Sequence, residues 1–141
     1  MDHKVILRTF KEGDYEMCSD WWRWWWKGAI PVRKDLLPQD NRCFVIESNG
    51  VPVAASFLYV AGREKSLGYL TWTVSNPEYK ELDRRQMLEL LITSIEKEAK
   101  EVWGIRFLFT VCGNKHMENI HRKLDWYIED SSPAYECFKY F

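Results

Sequence analysis

From Leu88 to Val102 the apolar residues fall at Leu88, Leu91, Ile92, Ile95, Ala99 and Val102, with Glu89, Glu96, Lys97, Lys100 and Glu101 between them. That spacing is one face of a helix and predicts the longest helix of the chain. Ahead of it, β-branched Thr71, Thr73 and Val74 surround Trp72 in a strand that Asn76-Pro77 should stop near Ser75. After the loop Glu78 to Leu82, Asp83 followed by Gln86 has the form of a capping box. The helix should therefore start there, with the N–H groups of Arg84, Arg85 and Gln86 at its open end, a place suited to an anion.

Strand-like alternation also marks Val5 to Phe10, and the turn residues Lys11-Glu12-Gly13-Asp14 hand over to a helix of about Tyr15 to Trp26. This helix carries Trp21, Trp22, Trp24, Trp25 and Trp26. At ~100° per residue the five rings span roughly 200°, wider than an ordinary buried stripe, so one or two should reach beyond the core. The loop Lys27 to Asn41, with Pro31 and Pro38, is one candidate to cover them; a recognition surface is the other. Asn49-Gly50 between Cys43–Ile46 and Val51–Val60 predicts a two-residue hairpin, and the polar turn Gly62 to Ser66 continues it into Leu67–Val74 as a meander. A further strand, Ile105 to Val111, precedes Cys112-Gly113-Asn114 and a helix from about Lys115 to Leu124. Tyr127–Glu129 and Tyr135–Tyr140 read as a closing hairpin around Ser131-Ser132-Pro133. The expectation is one α+β domain over residues 1–141, with a mixed, mostly antiparallel sheet of six to seven strands and about four helices.

At 141 residues the chain has the length of one domain with one core. Twenty basic against twenty-one acidic side chains give a formal charge of −1, which offers nucleic acid no phosphate-neutralising stripe. No apolar run approaches the ~20 residues that cross a bilayer, so no membrane partner is expected. Cys18, Cys43, Cys112 and Cys137 form no Cys-x-x-Cys pair, and Met1 to Phe10 lacks a signal peptide's apolar segment. Reduced thiols in the cytoplasm are expected. His3, His116 and His121 have no metal-ligand spacing, so no metal is expected.

The order strand, long helix, strand, Asn114, short helix and the aromatic Trp126 resembles the Gcn5-related N-acetyltransferase (GNAT) family. In that family the N-terminus of the long helix holds the pyrophosphate of acetyl-coenzyme A. Leu90-Leu91 fits the family's Leu-Leu pair, which puts Arg85 and Met87 where the family has small residues. Both glycines are missing, and large side chains there hinder close approach of backbone to pyrophosphate. The resemblance implies acetyl-CoA as co-substrate, held by Val74, Arg84, Arg85, Gln86, Met87 and Asn114. Asn114 would bond the pantetheine arm. The N–H near Val74 would stabilise the oxyanion, and His121, at the position of the family's Tyr, would protonate the departing thiolate. Glu78 or Glu136 is the candidate base, through water, and a substrate already deprotonated would need neither. Trp22, Trp25, Trp26 and Tyr135 would lie on the acceptor side. Cys112 is a nucleophile only in a minor reading, since a strand cysteine is more often a small hydrophobe.

A narrower likeness is to small GNAT-like proteins of tailed bacteriophages, which share a tryptophan-rich first helix and a Val-Ser-Asn-Pro-Glu-Tyr segment, here Val74 to Tyr79. The resemblance implies an N-acetyltransferase acting on a primary amine. Its expected partners are an acyl-CoA and an amine or protein acceptor, with a homodimer as a further expectation. The competing reading is a catalytically inactive GNAT-fold module that binds a protein through its tryptophan helix.

Overall fold

The computed structural model describes residues 4–27 and 30–129, together with Cys137 and Lys139. The chain divides into two compact units, Met1–Val111 and Cys112–Phe141. The first unit contains β1 (Val5–Thr9), α1 (Asp14–Trp25), β2 (Cys43–Ser48), β3 (Val51–Ala61), β4 (Leu67–Ser75), α2 (Arg84–Glu101) and β5 (Phe107–Phe109). In the second unit the described helix is α3 (Lys115–Lys123). Two single 3₁₀ turns, Lys34–Leu36 and Asp40–Arg42, lie between α1 and β2.

The sheet runs β1-β2-β3-β4-β5, antiparallel through β4, with β5 parallel to β4. Its first hairpin turns at Asn49 (φ 51°) and Gly50 (φ 82°), the two left-handed positions that a type I′ turn demands. On one face Val45, Ala55, Phe57 and Val74 meet Cys18 and Trp22 of α1. Because side chains alternate along a strand, Phe44, Ile46, Ala54 and Leu58 are turned to the opposite face. There α2 packs on β2 and β3, burying Leu88, Leu91, Ile92, Ile95 and Ala99. The sheet is thus a layer between two helices, and the ends of both helices come to the end of β4.

Local chemistry explains where α1 starts. Gly13 at its N-cap has φ 92°, a conformation an L side chain rarely adopts. The buried Asp14 carboxylate accepts the Lys11 N–H at 2.8 Å and pairs with Arg8 at 2.6 Å, while Arg8 also pairs with Glu47 of β2. One guanidinium therefore ties β1, β2 and α1 together, and the Asp14 carboxylate holds it protonated even more firmly than usual.

The described residues contain five strands and three α-helices, fewer than the six to seven strands and about four helices expected. The expected strand Ile105–Val111 shrinks to Phe107–Phe109 because Thr110 leaves the ladder and donates its hydroxyl to the Leu70 carbonyl at 2.6 Å. Tyr127 to Glu129 is not a strand: Asp125 turns the chain at φ 65° and Tyr127 is 86% exposed, so no burial drives pairing there. The expected strand Tyr135–Tyr140 and its turn at Ser131-Ser132-Pro133 lie outside the described residues, apart from Cys137 and Lys139.

Candidate functional site

The seam between β4 and β5 is short. Pairing covers only Leu67–Tyr69 against Phe107–Phe109. It is tight at Gly68, where an added Cβ would stand 3.0 Å from Leu108 and 3.1 Å from Ile105. Beyond Tyr69 no described strand continues the pairing on that side of β4. On the other side, Ala55 pairs with Val74 but Phe57 with Thr71, so β4 carries one extra residue opposite β3. The bulge is where Trp72 takes φ 58°, a left-handed conformation that is costly for a bulky side chain.

This ladder corrects one expectation. The Asn76 N–H donates to Val53 O at 2.7 Å, so the Val74–Ala55 pair, two residues back, is also a hydrogen-bonded pair by antiparallel alternation. The Val74 amide is thereby turned toward β3 and committed to the ladder. The adjacent Ser75 amide is the one turned to the open side.

At the N-terminus of α2 the capping box does not form. Asp83 caps with no side-chain hydrogen bond, and its carboxylate accepts the Tyr79 hydroxyl at 2.7 Å instead. Arg84 N–H reaches Glu81 O and Met87 N–H reaches Asp83 O, whereas those of Arg85 and Gln86 have no partner among the described residues. Met87 is 3% exposed with its amide used within the helix, so it is a core residue and not part of a ligand surface. The two arginines diverge. Arg85 is drawn back along the helix to Glu89 at 3.3 Å. Arg84 reaches forward, donates to Ser75 Oγ at 2.6 Å, and sets its guanidinium 5.2 Å from the ring centroid of Trp25. Glu78 is exposed on the turn, where its N–H is held by Asn76 Oδ1 at 2.9 Å.

The tryptophans separate by role. Trp22 is fully enclosed, stacks on Trp26 with centroids 5.8 Å apart, and donates its indole N–H to Trp72 O at 3.1 Å. It therefore belongs to the core, and the expectation that it contacts substrate fails because no face of it is exposed. Trp25 is 44% exposed and donates to Ser75 O at 2.7 Å. Trp26 is half-buried against Trp72, centroids 6.0 Å apart. Trp24, 58% exposed, is the freest of the five. The sequence reading missed Trp72 as a site neighbour; its indole N–H donates to Tyr59 Oη at 3.1 Å, and Tyr59 donates in turn to Leu36 O at 2.7 Å. A bulged conformation leaves no trace in a β-branched run, so no sequence signal marked it.

In the second unit Asn114 is the N-cap of α3, its Oδ1 accepting the Met117 N–H at 2.9 Å. His121 is 3% exposed. Its Nδ1 lies 2.7 Å from Met117 O, an acceptor, so Nδ1 carries the ring's hydrogen and Nε2 is left as a buried lone pair with no partner among the described residues. Burial pushes its pKa below the usual histidine value and keeps the ring neutral. The one proton of a neutral His121 is thus already bonded to a carbonyl, which does not fit the thiolate-protonating role expected of it. Cys112 Sγ stands 3.5 Å from the same protonated Nδ1, which cannot take the thiol proton, and burial raises the thiol's pKa. Cys112 is no activated nucleophile. Tyr135 and Glu136 lie outside the described residues.

Among the described residues no group of His, Cys, Asp and Glu could hold a metal ion, and no helix is long and apolar enough to cross a membrane. No protein-family model matches the sequence, and neither does any curated protein. Solved structures do match. A possible acetyltransferase from Clostridium difficile 630 aligns at TM-score 0.68 and 14% identity, over 96% of this chain and 99% of that one. An aminoglycoside acetyltransferase from an uncultured soil metagenomic sample, in complex with trehalose, aligns at 0.67 and 15%, over 97% of each chain. AAC(6')-Iy, in complex with a bisubstrate analogue of CoA and acetylneamine, aligns at 0.67 and 12%, over 96% of this chain and 99% of that one. The α+β sheet, the short β4–β5 seam and these neighbours together give the chain the fold of the GNAT acetyltransferases.

Proposed function

We propose that the chain is an acyl-CoA-dependent N-acetyltransferase acting on a primary amine. The observation that carries this reading is the unpaired end of β4 leading to an α2 N-terminus whose carboxylate is held away by Tyr79. Two free N–H groups and the Arg84 guanidinium there suit a diphosphate despite the missing glycines. Acetyl-CoA would lay its thioester beside Ser75, whose amide would donate to the oxygen that gains charge as the amine attacks. The C–N bond forms, the C–S bond breaks, and the thiolate takes its proton from water. The amine attacks in its neutral form, and the proton that its nitrogen sheds as the amide forms passes through water to Glu78 or to the solvent. Trp25 and Trp26 stand on the side from which the acceptor would come.

A second reading, a non-catalytic binding module, draws support from Trp24 and Trp25, two exposed indoles on one helix. Calorimetric titration with acetyl-CoA separates the two. A saturable isotherm with a dissociation constant of about 1 μM, or about −8 kcal/mol, is expected for the enzyme. The absence of both heat and thermal stabilisation at millimolar acetyl-CoA would overturn the enzyme reading in favour of the module.

A further inference from the structure

Trp25 was expected among the acceptor contacts, yet every directed interaction it makes runs the other way. Its indole N–H donates to Ser75 O at 2.7 Å, and its ring face carries the Arg84 guanidinium at 5.2 Å. Arg84 closes the loop by donating to Ser75 Oγ at 2.6 Å. Three elements on two faces of the sheet are tied at one residue: Trp25 comes from α1, Ser75 ends β4, and Arg84 opens α2.

We infer that Trp25 is a positioning residue that fixes the Arg84 guanidinium at the open end of α2, so that the acceptor-side helix also sets the charge that meets a diphosphate. The inference rests on the acetyl-CoA reading above. A free arginine on a helix terminus samples many rotamers and must be ordered when an anion arrives. Here an aromatic face and a hydroxyl hold it beforehand, and one bond to Ser75 Oγ leaves the rest of its five donors without partners among the described residues. This is a different solution from a glycine-rich loop, in which backbone alone surrounds the phosphate. It also accounts for why Arg84 and Arg85, adjacent in sequence, are not equivalent: only the first is within reach of an α1 ring.

The test is a double-mutant cycle read by calorimetric titration with acetyl-CoA on the full chain, using Trp25→Leu, Arg84→Ala and the pair. Each single variant should bind about tenfold more weakly, the scale of a charge-assisted contact, and the pair should bind no more weakly than Arg84→Ala alone. Trp25→Phe keeps a ring face for the guanidinium and loses only the N–H. It should recover most of the affinity lost in Trp25→Leu, and it serves as the probe if the leucine variant does not fold. Multiplying losses in the pair would overturn the inference, since the two side chains would then act separately. Tighter binding by either single variant would also overturn it, by showing that the tied arginine obstructs the phosphate. A wild-type chain that binds no acetyl-CoA would defeat the coenzyme reading and this inference with it. Normal wild-type binding with an unaffected Trp25→Leu would defeat only the inference.

Discussion

The N-termini of α2 and α3 look alike in sequence and are built in opposite ways. Each opens on a short polar residue, Asp83 or Asn114, and both were expected to serve coenzyme binding. Asn114 turns its side chain onto its own helix and bonds the Met117 N–H. Asp83 turns away, because the Tyr79 hydroxyl captures the carboxylate. The capped end has consumed its donor; the uncapped end keeps two N–H groups and gains an arginine. The difference teaches that an N-cap residue is a competitor for its helix, and that a neighbouring hydroxyl can decide the outcome.

The largest effect expected on this contrast is a pH dependence confined to the α3 side. In the folded state His121 is buried, neutral and short of a partner at Nε2, with its pKa below the ordinary 6.5. The unfolded segment titrates near that ordinary value, so below it the unfolded state binds the extra proton first. The stability from a neutral His121 is fully present above the unfolded value and is lost as pH falls from there toward the folded value. Protection factors of the Ile120 and Leu124 amides, taken relative to the intrinsic exchange rate at each pH, should fall from pH 7.5 to 5, while that of Ile92 in α2 stays unchanged. His121→Phe should flatten the profile; an unchanged profile in that variant would assign the effect elsewhere.

Next in size is the cap itself. Asn114→Ala should destabilise α3 by about 1 kcal/mol, and Asn114→Asp should restore most of that. Asp83→Ala should cost α2 little through capping, because no capping bond is there to lose. By removing a negative charge near the helix end, it should leave acetyl-CoA binding equal or tighter by about 0.3–1 kcal/mol. Chemical denaturation of all three variants checks the asymmetry, and equal losses at the two helices would erase it.

How much of this was legible depended on whether a feature is local. The Asn49-Gly50 hairpin, the extent of α2 and the start of α3 each follow from a few neighbouring residues, and each is where periodicity or turn chemistry put it. The excess of tryptophan over what α1 can bury was legible too, and Trp24 and Trp25 are the rings left out. Which ring does what was not. Trp22 and Trp25 are three residues apart on one helix, yet one is enclosed and the other half exposed, a distinction set by Phe57 and Trp72 from strands far along the chain. The capping pattern at Asp83 misled because it scores residues forward of the cap, while the residue that took the carboxylate lies behind it. The inversion of the Val74 and Ser75 amides depends on register against β3, which no single strand encodes. The burial of His121 was likewise hidden, since an imidazole beside Ile120 on a polar helix gives no sign of facing inward.

The smallest expected effect sharpens the comparison within α2. Arg85 is half exposed, and its ion pair with Glu89 at 3.3 Å spans one helical turn on the surface. Such pairs contribute about 0.3–0.5 kcal/mol, screened further by salt. Its side chain points back along the helix and away from the uncapped end, so its charge reaches an anion there only through solvent. Arg85→Ala should therefore shift the unfolding midpoint barely and weaken acetyl-CoA by less than about twofold, the scale of a screened surface charge. Arg84→Ala, one residue earlier, loses the directed contact. Measured side by side at two salt concentrations, a loss for Arg85→Ala as large as that for Arg84→Ala would mean that the helix end attracts its ligand by net charge alone. The tie between α1, β4 and α2 would then have no part in recognition.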